Sequence, residues 1–320
     1  MGIEPQRTGV MAHAPTAPDR APAGRIVQLR SHDDLILAVR IFGTRTERLP
    51  LLCLPGLSRN SLDFIAVGQR FGAPGPEERQ VIAVDYRGRG LSDADPNWRN
   101  YTPVTEAHDV LAVATALGID RTAVLGTSRG GIIAMTLGSL RPGLLAGVIL
   151  NDIGPVIEGT GLARIKAYLT AGRRVRNWTE AEAALRLTHA ATFPSLSALD
   201  WQAWARAVYI ERGSTGLEPN FDRSLVKTLD AINFTDSLPT TWPQFDSLGG
   251  RPVLAIRGEH SDLLAARTLK AMAERIRGLT THIVSGQGHA PLLRDDTTLG
   301  EIGAFLARCD ASAVSREAGA

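Results

Sequence analysis

Short apolar runs recur along the chain, and most lead through a loop into a stretch with helical spacing. Residues 51–54, 80–85, 122–125, 147–150 and 252–257 are apolar runs of strand length. Runs this short, apolar without alternation, predict strands buried on both faces. Helices are predicted over 61–70, 105–117, 132–140, 264–276 and 296–308, and Gly118 stands where the second of these should end. Strand and helix alternating at this spacing predict βαβ crossovers and a mainly parallel sheet. Residues 25–30 and 35–42 flank the turn Ser31-His32-Asp33-Asp34 and predict an opening hairpin, and residues 280–284 predict a last strand.

The alternation stops after Asn151-Asp152-Ile153-Gly154-Pro155 and resumes near residue 247. Between them the pattern is helical, with candidates at 162–171, 179–190 and 199–210 and breaks at Gly213, Gly216, Pro219 and residues 239–243. Trp178, Trp201, Trp204 and Trp242 all fall here. The segment therefore reads as a helical insertion into an α/β domain.

Composition adds few constraints. Apolar residues are 44% and charged residues 21% of 320, enough to bury a large core. The net charge of +2 and the absence of a dense basic block argue against nucleic acid as a partner. The run Arg173-Arg174-Val175-Arg176 reads as a solvated helix end. No run of about 18 apolar residues predicts a membrane span, and the Pro- and Ala-rich start has no signal-peptide core. Cys53 and Cys309 have no metal-ligand or paired spacing, so both are expected as thiols in a cytoplasmic protein.

The chemistry concentrates around Gly126-Thr127-Ser128-Arg129-Gly130-Gly131, a G-x-S-x-G pattern between a predicted strand and a predicted helix. A serine in such a sharp turn projects its hydroxyl outward, which makes Ser128 a candidate nucleophile. It needs a base, usually a histidine oriented by a carboxylate. Of seven histidines, His289 follows a predicted strand in a glycine-bearing loop, where α/β sheets place their sites. Asp262, in Gly258-Glu259-His260-Ser261-Asp262, is the first choice of acid. Glu259 is the near rival, and Asp152 the distant one, with a turn-capping role as its simpler explanation. Two backbone amides should stabilise an oxyanion, and Arg129 N–H at a helix start and Leu57 N–H after Pro55-Gly56 are the candidates.

These residues, with Leu54-Pro55-Gly56-Leu57, Asp85-Tyr86-Arg87-Gly88-Arg89-Gly90-Leu91-Ser92-Asp93 and Gly288-His289-Ala290-Pro291, resemble the α/β-hydrolase superfamily in its own motif order from about residue 25 to 309. The resemblance implies an α/β fold: an eight-stranded, mostly parallel sheet with helices on both faces and a helical cap inserted after the sixth strand. It divides the chain into a disordered segment 1–24, a core of 25–155 and 247–310, a cap of 156–246 and a flexible tail 311–320. Two departures stand out. Pro55 occupies a position that usually carries histidine, and Arg129 one that is usually small or apolar; a surface or cap-facing salt bridge is the expected role of the Arg129 side chain.

The resemblance implies a serine hydrolase of a small, largely apolar ester or lactone, working without cofactor or metal, with a chamber between the sheet edge and the cap. Related carbon–carbon bond hydrolases of ring-cleavage products, which act on vinylogous diketones, share the triad and form the alternative reading. Acyltransferase or cofactor-free peroxidase chemistry and a ligand-binding receptor on the same fold rank lower. Haloalkane dehalogenases and epoxide hydrolases of this fold use an aspartate nucleophile, so Ser128 argues against both.

Overall fold

The run Leu-Leu-Cys-Leu becomes a strand in which all four residues are buried. Its alternate side chains serve two different cores: Leu51 and Cys53 one, Leu52 and Leu54 the other. A sheet covered on both faces needs this doubled apolar pattern. The computed structural model describes residues 24–172, 174–211, 216–230, 232–234 and 238–317.

In chain order the strands are β1 (Arg25–Arg30), β2 (Ile36–Phe42), β3 (Leu51–Leu54), β4 (Val81–Val84), β5 (Thr122–Thr127), β6 (Leu145–Asn151), β7 (Tyr209–Glu211), β8 (Leu217–Pro219), β9 (Val253–Gly258) and β10 (Thr280–Val284). The helices are α1 (Ile65–Gly72), α2 (Pro103–Ala116), α3 (Arg129–Leu140), α4 (Gly159–Ala171), α5 (Trp178–His189), α6 (Ala198–Val208), α7 (Trp242–Asp246), α8 (Ala266–Arg275) and α9 (Asp296–Glu317). Eight strands form one sheet in the order β1-β2-β4-β3-β5-β6-β9-β10. β2 runs antiparallel to both β1 and β4, and the remaining neighbours are parallel. This is the expected α/β-hydrolase architecture.

One face of the sheet packs against α2, α3 and α8 through Val110, Val113, Ile133, Leu137, Leu269 and Met272. The other packs against α1 and α9 through Val67, Phe71, Ile302, Phe305 and Cys309. Both cysteines sit in this second core and are free thiols. The turn at Ser128 depends on close packing between β3 and α3. A Cβ at Gly130 would collide with the Leu54 carbonyl, and one at Gly126 with the backbone of Gly130.

The insertion follows β6, the sixth strand, and forms a small core of its own from Ala181, Leu185, Phe193, Trp201, Trp204 and Tyr209. Asn177 and Ser197 cap α5 and α6 through their side chains. Besides the three expected helices it carries the β7–β8 pair, which has no counterpart in the expected pattern.

The last helix also differs from expectation. It continues to Glu317 and buries Ala313, so residues 311–317 are helical rather than a flexible tail. In the Arg173–Arg176 run, the described arginines are paired, Arg174 with Glu218 and Arg176 with Glu180. The expected disorder of residues 1–23, Arg173, the break at Gly213 and residues 318–320 lie outside the described residues. Among the described residues no helix is long and apolar enough to cross a membrane.

Candidate active site

β5 ends at Thr127, and α3 begins at Arg129. Ser128 alone makes the turn, at φ 51 and ψ −113, a conformation strained for a residue with a side chain. Its amide donates to Asn151 O at 3.0 Å, and its carbonyl accepts from Gly131 N at 2.9 Å, so both flanks of the turn are fixed.

His289 comes from the loop after β10. Its Nε2 and Ser128 Oγ are hydrogen-bonded at 2.9 Å, and its Nδ1 and Asp152 Oδ2 at 2.8 Å. Asp152 follows β6, the strand beside β5, and its side chain is fully buried. Two further donors hold the same carboxylate: Gly258 N reaches Oδ1 at 2.8 Å, and Ser261 Oγ reaches Oδ2 at 2.6 Å. Asn151, next to it, donates to Thr127 Oγ1 and Pro291 O, tying the serine strand to the histidine loop.

The structure therefore brings Ser128 and His289 together, as expected, but places Asp152 rather than Asp262 at the imidazole. Asp262 is half-exposed and faces the insertion, where Arg164 grips it through Nε at 2.5 Å and Nη2 at 2.9 Å. Burial opposes ionisation there, but the Arg164 hydrogen bond and the Arg164 and His289 charges together outweigh it and hold the Asp262 carboxyl below its usual range. The loop between β9 and α8 gives Ser261, not Asp262, to the triad. Glu259, the other rival, accepts from Ser285 Oγ and Gly286 N and braces the start of the histidine loop.

The Arg129 side chain turns inward, away from the surface or insertion-facing pair expected for it. Its Nε donates to Glu106 Oε2 at 2.7 Å, and its Nη2 to Tyr101 O at 2.9 Å. The buried Glu106 also meets Arg89, whose Nη2 lies 2.7 Å from Oε1 in an ion contact without hydrogen-bond alignment. Burial alone would raise the Glu106 carboxyl, but Arg129 and Arg89 hold it below its usual range. Arg89 Nε then donates to Leu57 O at 2.8 Å. The candidate oxyanion residues Leu57 and Arg129 are thus connected through one buried arginine–glutamate network. Sequence reasoning passed over Arg89 and Glu106; the signal was an arginine in Arg-Gly-Arg-Gly and a glutamate on the apolar side of a helix.

A cavity of about 1200 Å³ opens at this point. Gly56, Leu57, Arg59, Ser128 and His289 line it from the sheet side, and Tyr168, His189 and Trp204 from the insertion. The expected chamber between sheet edge and insertion is thereby located. His32, Asp33 and Asp109 also cluster, but both aspartates bind the buried Arg87, at 2.8 and 2.6 Å, so their charge is already met.

A strained serine elbow, a buried His–Asp pair and this strand order define an α/β-hydrolase site. The chain belongs to the alpha/beta hydrolase family, whose sequence pattern matches residues 51–301. It is 30% identical over 270 residues to a 3-hydroxybutyrate-oligomer hydrolase of Cupriavidus necator, covering 81% of this chain and 88% of that one. It is 27% identical over 298 residues to an esterase of Mycobacterium tuberculosis, covering 89% and 87%. The crystal structure of an alpha/beta hydrolase from Novosphingobium aromaticivorans superposes with a TM-score of 0.80 at 32% identity, covering 89% of this chain and 98% of that one.

Proposed function

We propose that this hydrolase cleaves a carboxylic ester through an acyl-enzyme on Ser128. The observation that carries the reading is the unbroken hydrogen-bonded series Ser128–His289–Asp152, whose first two members line the cavity. His289 Nε2 takes the Ser128 proton as Oγ attacks the ester carbonyl, and Asp152 stabilises the imidazolium that results. The charge that develops on the carbonyl oxygen falls to backbone amides. Arg129 N–H suits this role because it opens α3, where first-turn amides lack intrahelical partners. Leu57 N–H, in the cavity lining, is the second donor. His289 then protonates the leaving alkoxide, which departs as the alcohol, and activates the water that releases the acid. The insertion acts as the cap of this chamber.

The esterase and the oligomer hydrolase among the relatives support ester cleavage over the other chemistries of the fold. The test uses a short-chain 4-nitrophenyl ester and a fluorophosphonate probe. Ser128→Ala and His289→Ala should each lower the rate by roughly 10⁴-fold or more. The probe should label Ser128 in the wild type alone. Near-full activity in either variant would contradict the assignment.

A further inference from the structure

We propose that Arg59, with the Trp204 side of the insertion, forms a subsite for a carboxylate, so that the preferred ester carries a second, anionic group. The inference rests on Ser128 being the nucleophile.

Arg59 stands two residues beyond Leu57 on the loop after β3. A Cβ built on Gly56 would lie 3.2 Å from Arg59 Cγ and 3.8 Å from Ser128 Cβ, so the arginine stem and the serine flank one spot. The loop is fixed by Arg59 N donating to Gly56 O at 3.1 Å. The guanidinium is fixed too. Its Nε and Nη2 hold both oxygens of Asp63, at 2.9 and 2.5 Å, and its carbon lies 5.7 Å from the Trp204 ring centroid. Nη1 takes no part in the grip on Asp63. The side chain, 19% exposed, lines the cavity. An arginine held this way is pre-organised for a planar oxyanion.

The wall it faces has a donor without an acceptor. Trp204 Nε1 and His189 Nδ1 are buried and have no hydrogen-bond partner in the protein. An indole N–H can only donate. The neighbouring carboxylates cannot supply the acceptor, because Asp63 is taken by Arg59 and Asp262 by Arg164. Burial, followed by the Arg164 and Arg59 charges, keeps His189 neutral against the pull of Asp262. A purely apolar acyl group would leave the Trp204 N–H unpaired, which is costly. A carboxylate would meet the Arg59 Nη1 that Asp63 leaves open and supply an acceptor at the same wall.

The test compares 4-nitrophenyl hydrogen adipate with its neutral methyl ester, which share a leaving group. Wild type should favour the anionic ester by about tenfold or more in kcat/KM, as expected for a desolvated charge pair. Arg59→Met should lower that ratio by about tenfold, with Arg59→Lys restoring part of it. Trp204→Phe, which keeps the ring and removes the N–H, should lower it by about threefold. Asp63→Asn should raise it, because it removes the competing carboxylate. The opposite signs at Arg59 and Asp63 separate recognition from loss of folding. A wild-type ratio at or below one, or an Arg59→Met variant that slows both esters equally, would overturn the subsite while leaving Ser128 in place. Hydrolysis of either ester by Ser128→Ala, or none of either by the wild type, would overturn the reading of Ser128 instead.

Discussion

Asp152 does two jobs with one carboxylate. It caps the Gly258 amide across the β6–β9 gap, and it orients the His289 imidazole. A cap on the amides of its own turn, Asn151-Asp152-Ile153-Gly154, is the simpler expectation; the carboxylate bonds instead to groups more than a hundred residues away, at Gly258 and His289. That depends on β6 lying between β5 and β9, which no local pattern encodes. Asp262 is the expected acid because it lies at a loop-to-helix turn, where a short side chain can reach inward, but Arg164, about a hundred residues upstream, draws it to the insertion. His189 gives a prediction at the same scale. Burial first, then Arg164 and Arg59, lower its pKa from 6.5 to about 3 in the fold. An unfolded chain therefore takes up a proton that the folded chain refuses throughout that window. The contribution to stability is complete above pH 6.5 and is lost as pH falls toward 3. His189→Phe should make the fall in urea midpoint between about pH 7 and pH 4 shallower. An unchanged slope would contradict the assignment.

The helix that follows Ser128 is held at its first turn by charge as well as by packing. Arg129 and Arg89 converge on Glu106 of α2, and Arg89 extends the connection to Leu57. Glu106→Gln would keep the volume but leave two buried cations without a counter-charge. Breaking a buried pair on one side costs about 3–5 kcal/mol. For a chain of this size that is a fall in Tm on the order of 10 °C. Activity should fall with it, because Leu57 loses its anchor; a Tm lowered by less than about 2 °C would show that the network is not structural. Most elements were legible because buried strands and amphipathic helices carry their burial in their spacing. The β7–β8 pair was not, since three-residue strands beside Gly216 offer no period to read. Nor was the end of α9, where Ala313 is buried only in the folded chain.

Across the whole molecule, the sheet's two faces supply stability and its C-terminal edge supplies chemistry, with the insertion closing over that edge. The insertion is secured at its return: Asp222 N donates to Gly88 O at 2.7 Å, and Tyr101 Oη donates to Asp222 Oδ2 at 2.5 Å. The two thiols report on the integrity of the second core. Burial pushes Cys309 up to about 12 and Cys53 higher still. Neither should react with a disulfide reagent such as DTNB until the protein unfolds, when both should; reaction of either at the rate of free cysteine in the native state would contradict that core. The central claim is that Asp152, not Asp262, completes the site with Ser128 and His289. Its most direct test is kcat for a 4-nitrophenyl ester in Asp152→Asn and Asp262→Asn measured side by side. The expected loss is about 10³- to 10⁴-fold in the first and within about fivefold in the second. The reverse order, or equal losses in both, would contradict the account.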